Sequence, residues 1–144
     1  MVSSRRKRVV EGTIVVGYSG TKGAARAVVR AAGVVDPAGE LLIVYVREPA
    51  QSISSRIGDI NYKDRQRQQA VLAQGRKLAH QAPADIETIA AVGDPADELL
   101  RIAGQRRAGL IVVGRGRAPR MELLHQSVCE KIVREASTCV LVVP

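Results

Sequence analysis

Five short apolar runs, each of strand length, recur along the chain and are separated by segments of helical period. Four of the runs are almost wholly apolar, which is typical of parallel strands that helices cover on both faces. Strands that alternate with helices predict a mainly parallel, doubly wound sheet with right-handed crossovers. The predicted strands are residues 9–17, 41–46, 86–92, 110–113 and 139–143. We therefore expect an α/β protein with one domain over residues 1–144.

The segments between these runs carry the spacing of helices that bury one face. Residues 24–35 repeat Ala and Val at i, i+3, i+4 and i+7. The segment "DPADELLRIAGQRR" opens with Asp94 as a predicted N-cap, followed by a proline in the first turn. Residues 61–81 are polar and rich in Arg and Gln, which indicates an exposed helix, and 121–136 form a last predicted helix. Residues 47–60 are expected to be a surface loop.

Composition limits both the core and the partners. Hydrophobic residues make up 46% of the chain but aromatics only 2%, so aliphatic side chains must build the core. The net charge of +8 favours the approach of anionic partners, although charge alone does not identify one. With only three tyrosines and no Trp or Phe, the chain has few stacking platforms for single-stranded nucleic acid. We therefore do not expect it to bind nucleic acid.

Cysteine usage and the N-terminal segment favour a cytoplasmic protein. Cys129 and Cys139 have no CxxC motif or Cys/His array around them, so we expect reduced thiols and no metal site. The basic start "MVSSRRKR" is not followed by the uninterrupted apolar run of a signal peptide, and no stretch is long enough to cross a membrane. Residues 1–8 are expected to be a flexible basic N-terminus.

Two turns with closely spaced glycines follow predicted strands. These are "GYSGTKG" after the first strand and "GRGRAPR" after the fourth. In open α/β sheets, ligands bind outside the carboxyl ends of the strands, where the winding reverses direction. Glycines let the backbone approach a phosphate, and a helix N-terminus presents N–H groups to it. If the first and fourth strands are neighbours, the two turns flank one crevice.

Three stretches, in order and spanning nearly the whole chain, resemble the universal stress protein family. "TIVVGYSGT" is similar to its first strand running into V-D-G-S, and "AVGDPADELLRIAGQRRAGLIVVG" to its G-x-P-A helix and fourth strand. "LLHQSVCEKIVREASTCVLVVP" is similar to its final helix and closing strand. The resemblance implies a five-stranded sheet in the order 3-2-1-4-5, a cytoplasmic stress-response role and a homodimer paired through the closing strand, Cys139–Val143.

One branch of that family binds adenine nucleotides and carries G-x-x-G, nine residues, then G followed by Ser or Thr. In this chain Gly114 and Gly116 are separated by one residue instead of two. Gln126 stands where the last glycine belongs, although Ser127 follows as in the family. Ser19 replaces the acidic residue of V-D-G-S. The departures therefore affect both ends of the expected ligand.

Nearby side chains leave two interpretations open. Arg115, Arg117 and Arg120 could donate forked hydrogen bonds to phosphate, or they could be solvated charges of a loop. Gln126 could obstruct a phosphate, or its amide could donate to one.

The resemblance thus implies a weak site for ATP or AMP between the ends of the first and fourth strands, with Mg²⁺ expected only alongside ATP. Capping would equally explain Thr21 and Ser127 there, and packing would explain Tyr18. No pair of carboxylates occupies the two turns, so we expect no catalysis beyond slow ATP hydrolysis. The alternative is a homodimeric interaction module that binds no nucleotide and recruits an acidic protein partner. The predicted site residues are Gly17, Tyr18, Ser19, Thr21, Val46, Val113, Gly114, Arg115, Gly116, Arg117, Gln126, Ser127 and Val128.

Overall fold

The computed structural model describes residues 8–49, 57–116 and 127–144. In that part of the chain, five parallel strands form one sheet in the order β3-β2-β1-β4-β5. This confirms the predicted doubly wound α/β fold. The elements are β1 Thr13–Gly17, α1 Lys22–Val34, β2 Glu40–Arg47, α2 Ile57–Leu78, β3 Asp85–Val92, α3 Pro95–Gln105, β4 Leu110–Gly114, α4 Val128–Glu135 and β5 Cys139–Val143.

Successive residues of each central strand enter two different cores. Ile14 and Val16 of β1 pack with α1 and α2, whereas Val15 between them packs with α3 and α4. Both faces of the sheet are therefore covered, which explains why β1, β2 and β4 read as continuous apolar runs. In α1, Ala27 and Ala31 are completely buried. Because their side chains are small, the helix can approach the sheet closely.

Predicted boundaries differ from the structure at the first strand and around the predicted loop 47–60. The first strand begins at Thr13 instead of residue 9, because Gly12 has a φ of +82° and interrupts the extended backbone. The predicted loop 47–60 is too long, since β2 includes Arg47 and α2 already begins at Ile57; residues 50–56 lie outside the described ones. Of the predicted last helix, the structure describes the part from Val128 onward.

A buried glutamine fixes the polar helix α2 on the sheet. Gln68 is 3% exposed, and its Nε2 donates hydrogen bonds of 2.9 Å to the carbonyl oxygens of Tyr45 and Ala91. These acceptors lie near the carboxyl ends of β2 and β3. Leu72 and Ala79 bury the apolar stripe of the same helix. Although most of α2 is polar, it is therefore fixed at a defined position.

At the opposite end of the sheet, two glutamates share one guanidinium. Nη2 of Arg106, the residue that follows α3, donates to Glu40 Oε1 at 2.7 Å and to Glu87 Oε2 at 2.6 Å. The hydrogen bond from Arg106 lowers the pKa of Glu87 below its ordinary value. Burial, and then the hydrogen bond with Glu87, raises the pKa of Glu40. The two carboxylates therefore affect stability with opposite signs.

We expect Glu87→Gln to lower the free energy of unfolding near pH 7, by at most about 1 kcal/mol because the side chain is half exposed. Because the pKa of Glu87 is lowered in the folded state, its ionised carboxylate stabilises the fold at pH values above the unfolded-state pKa of about 4.3. This stabilisation is lost as the pH falls through the folded-state pKa. The deficit of the variant should therefore shrink in acid. Glu40→Gln should show no deficit near pH 7, because ionisation of Glu40 costs stability as pH rises through its raised pKa.

Urea unfolding of both variants and the parent at about pH 7 and about pH 3 measures this. Equal deficits for the two variants, or a Glu87→Gln deficit that does not change with pH, would contradict the assignment.

Candidate functional site

The carboxyl ends of β1 and β4 open into a cavity of about 740 Å³. This volume lies within the range of small-molecule sites. Its walls come from the turns after β1 and β4, the first residues of α1 and α4, and the side of α3. Because β1 and β4 are hydrogen-bonded neighbours, the two glycine-bearing turns do flank one crevice.

The turn after β1 reverses the chain into α1. Gly20 has a φ of +87°, a conformation that favours glycine. Thr21 is the N-cap of α1, and its Oγ1 accepts a 3.2 Å hydrogen bond from the Ala24 N–H. Capping therefore accounts for Thr21 without a ligand. Ser19, in the same turn, is exposed and lines the cavity.

Helix α4 begins at the same cavity. Ser127 is its N-cap, with Oγ accepting a 3.1 Å hydrogen bond from the Glu130 N–H. Val128, in the first turn, is 38% exposed. The first turns of α1 and α4 therefore both contribute to the cavity wall, and the positive ends of two helix dipoles favour negative charge there.

The turn after β4 is held from both sides. The Arg115 N–H donates to the Val143 carbonyl at 2.7 Å, which extends the contact with β5. The Cys129 thiol donates to the Gly114 carbonyl at 3.1 Å and ties the turn to α4. The backbone at Gly114 and Arg115 therefore holds a defined position before any ligand arrives.

The two glycines of this turn have different surroundings. A Cβ on Gly114 would lie 2.5 Å from the Gly23 carbonyl carbon and 2.8 Å from the Ala24 nitrogen, both in the first turn of α1. A Cβ on Gly116 would meet no described atom within 4 Å, and the φ of Gly116 is not positive. Packing thus explains Gly114, whereas Gly116 leaves bare backbone at the cavity.

The cavity combines apolar walls with a cationic rim. Lys22 and Arg115 are exposed at its edge, and Arg26 lines it while donating from Nε to the Pro144 backbone oxygen at 2.8 Å. Among its described lining residues there is no Asp or Glu. An anionic group is therefore favoured at the rim, and an apolar ring within. The apolar walls include Val44, Val46, Leu99 and Val113.

Every predicted site residue that the structure describes lines this cavity. Tyr18 does so as a buried wall residue, since it is 2% exposed and its ring packs on the Gly75 backbone of α2. Burial raises the pKa of its hydroxyl. Arg117, Gln126 and also Arg120 lie outside the described residues, so their two interpretations stay open. The predicted residues at the cavity are Gly17, Tyr18, Ser19, Thr21, Val46, Val113, Gly114, Arg115, Gly116, Ser127 and Val128.

Sequence reasoning missed several lining residues. Lys22 and Arg26 are four apart at the start of α1, so their shared helical face was a signal that could have placed them at the crevice. Pro95 and Leu99 reach the cavity from α3, and no local pattern marks them, because their position depends on how α3 crosses the sheet.

The described residues also bear on metal and membrane binding. Within 8–49, 57–116 and 127–144, no group of three or more His, Cys, Asp or Glu side chains is arranged to hold a metal ion. No helix in the same ranges is long and apolar enough to span a membrane. Cys129 and Cys139 are free thiols.

Comparisons with known proteins agree with the fold. The model of the universal stress protein family matches residues 12–144. A universal stress protein in complex with cAMP is 29% identical, with a TM-score of 0.72 and coverage of 92% of this chain and 95% of that chain. Hypothetical protein MJ0577 is 20% identical, with a TM-score of 0.80 and coverage of 94% and 96%. A family protein from Arabidopsis thaliana with AMP bound is 14% identical, with a TM-score of 0.62 and coverage of 92% and 90%. The search of curated proteins gave no significant match.

We expect Gly114→Ala to lower the free energy of unfolding by about 1–3 kcal/mol, because the new methyl group must push α1 away from the turn. Gly116→Ala is the matched control and should leave stability within about 0.5 kcal/mol of the parent. Chemical denaturation of the three proteins measures both values. Equal stability of Gly114→Ala and the parent would show that the close approach of α1 to the turn is not required.

Proposed function

The chain belongs to the universal stress protein family, and on that premise we propose that the cavity between β1 and β4 binds an adenosine monophosphate, linear or cyclic. The protein would then be a nucleotide-responsive regulator in the cytoplasmic stress response. The observation that carries the proposal is the cavity itself, which brings two helix N-termini and a cationic rim to the carboxyl ends of neighbouring strands. Anionic ligands bind at such positions in open α/β sheets.

The phosphate would lie at the turn after β4. Arg115 and Lys22 supply positive charge at the rim, and the bare backbone of Gly116 allows close approach. The first turns of α1 and α4 add the positive ends of their dipoles. This region has the donors for one phosphate group without any contribution from residues 117–126.

The base and ribose would occupy the apolar part of the cavity. Val44 and Val46 from the end of β2 and Leu99 from α3 offer flat apolar contacts for a purine ring. The exposed Ser19 hydroxyl can hydrogen-bond a ribose or a base edge, although it is shorter than the acidic side chain found in V-D-G-S.

A monophosphate fits this chain better than ATP does. The turn with Gly114 and Gly116 is one residue shorter than G-x-x-G, and Gln126 replaces the last glycine of that motif. The shorter turn offers fewer bare backbone groups to further phosphates, and a side chain stands at 126 where the motif has bare backbone. The relative that is 29% identical was crystallised with cAMP, a ligand with a single phosphate, which supports the same choice.

We predict that calorimetry will detect binding of AMP or cAMP, with ATP weaker whether or not Mg²⁺ is added. Arg115→Ala should weaken that binding by about tenfold or more, because a charge-assisted contact to phosphate is lost. Arg30→Ala is the matched control, since Arg30 is an exposed arginine of α1 that does not line the cavity. A concentration of about 1 mM is high enough to detect even weak binding. If none of the three nucleotides binds at that concentration, the proposal is ruled out. An equal loss in Arg30→Ala would instead indicate a nonspecific charge effect.

We also propose that two copies pair through β5. This strand has β4 as its only neighbour among the described residues, and its sequence CVLVV contains no charge or proline. An apolar edge strand of this kind is unprotected against pairing with another strand. Val133, 58% exposed, lies on α4, which packs beside β5 and extends the apolar surface.

Sedimentation equilibrium should show a dimer, and Val142→Lys on β5 should shift the mass to that of a monomer. Val142 is half-buried, so the lysine stem can remain on the apolar surface while its charge opposes a partner strand. Val92→Lys on β3, the other edge strand, should stay dimeric. A monomeric parent, or dissociation of both folded variants, would exclude pairing through β5. Circular dichroism checks that both variants are folded.

A further inference from the structure

A second groove, of about 560 Å³, lies between α2 and β3. One wall is a helical stripe on α2 at i, i+4, i+7, i+8 and i+11, and the floor is uncharged and mostly apolar. We call it the α2–β3 groove. It shares no residue with the nucleotide cavity among the described lining of either. The stripe is Gln69, Ala73, Arg76, Lys77 and His80, and the floor is Leu72, Ile86 and Thr88.

Strand β3 presents an unprotected edge beside this groove. It is 8 residues long, and β2 is its only strand neighbour in the described part of the chain. Its sequence DIETIAAV contains no Lys, Arg or Pro, the residues that commonly block an edge. On the α2 side its side chains are Ile86, Thr88, Ala90 and Val92, all uncharged, and the last two are exposed. Among the described residues, no strand pairs with the outer edge of β3, so its backbone can accept another strand.

The acidic residues of β3 do not reach the groove. Ile86 packs into the core beneath α2, whereas Ile89 and Ala91 pack into the core beneath α3. Since side chains alternate along a strand, Asp85 and Glu87 lie on the α3 side. Glu87 is bound there by Arg106. The charge that borders the groove is therefore that of α2.

That charge is positive. Arg76 and Lys77 are exposed along the stripe, and no Asp or Glu occurs among the described residues of the groove. The His80 ring nitrogen Nδ1 lies 2.9 Å from the Lys77 carbonyl oxygen, which fixes the ring against the helix end. An occupant of the groove would meet a cationic wall above an apolar floor.

Charge and chemistry narrow the occupant to an acidic polypeptide. Pairing of β3 with a second copy would bring two α2 helices together, each with exposed Arg65, Arg67, Arg76 and Lys77, in a chain of net charge +8. Such like-charge contact is unfavourable. A nucleic acid strand would find no Phe, Tyr or Trp among the described groove residues to stack on its bases, and a sheet edge offers backbone hydrogen bonds that suit a peptide.

We propose that the α2–β3 groove binds an extended acidic segment of a partner protein, which adds to the sheet as a strand beside β3. Backbone hydrogen bonds to the β3 edge fix the segment, and alternate side chains point toward α2. Asp or Glu at those positions pairs with Arg76 and Lys77, and small apolar residues cover Leu72 and Ile86. This interaction goes beyond the nucleotide site and does not depend on it.

Selection from a displayed library of random segments, each as long as β3, tests the proposal on the full chain. The expected result is enrichment of Asp or Glu at alternate positions. Arg76→Glu with Lys77→Glu should weaken binding of a selected peptide by about tenfold or more. Lys63→Glu with Arg67→Glu is the matched control, because it makes the same charge change on exposed residues of α2 that lie on a different face of the helix from the stripe. Its affinity should stay within about twofold of the parent.

Hydrogen exchange then locates the bound peptide. Strand addition should slow the exchange of the β3 amides that face away from β2. In the bound peptide, every second N–H would donate to β3, so N-methylation of those residues should abolish binding, whereas N-methylation of the others should not. The proposal is overturned if acidic residues are not enriched, if the control pair loses as much affinity, or if protection appears elsewhere. Displacement of the peptide by oligothymidylate at a concentration similar to that of the peptide would also overturn it, because the groove would then bind nucleic acid. So would conversion of a dimeric parent into a monomer by Thr88→Lys, because the β3 edge would then bind a second copy.

Discussion

The close approach of α1 to the turn after β4 is the contact on which the site depends. Gly114 touches the backbone of Gly23 and Ala24, so the helix that follows β1 begins directly beside the end of β4. This is where the winding of the sheet reverses direction, because α1 lies on one face and α3 on the other. Any side chain at Gly114 would separate the two turns. The two elements that border the cavity therefore meet backbone to backbone at this point.

Much of the fold could be predicted from periodicity. The runs at β2 and β4 are apolar because helices cover both faces of these strands. The predicted β5 matches its observed bounds, Cys139–Val143. Predicted strand and helix boundaries were wrong where the periodic pattern of the sequence does not determine where the element begins. Gly12 ends the apparent extension of β1, and α2 begins earlier than its polar sequence indicates. The position of α2 depends on Gln68, whose two carbonyl partners are each 23 residues away in the sequence, so no local pattern could reveal it.

The site was predictable to the extent that strand ends define it. Residues in the two turns follow directly from the strand order, and the described ones do line the cavity. Leu99 and Pro95 could not be found, because α3 contributes them through tertiary packing. Thr21 and Ser127 show a different limit. Both cap helices, and a capping residue at a helix N-terminus has the same sequence signature as a phosphate contact.

Helix α2 contacts both the cavity between β1 and β4 and the α2–β3 groove. Gly75 packs against Tyr18, and Gln68 binds the carbonyl of Tyr45, and both tyrosines line the cavity. The stripe that contains Arg76 and Lys77 lines the groove on the same helix. Two sites influence each other only if their ligands favour different arrangements of an element that both contact. In this chain α2 is the element that contacts both, and its hydrogen bonds through Gln68 tie it to the sheet.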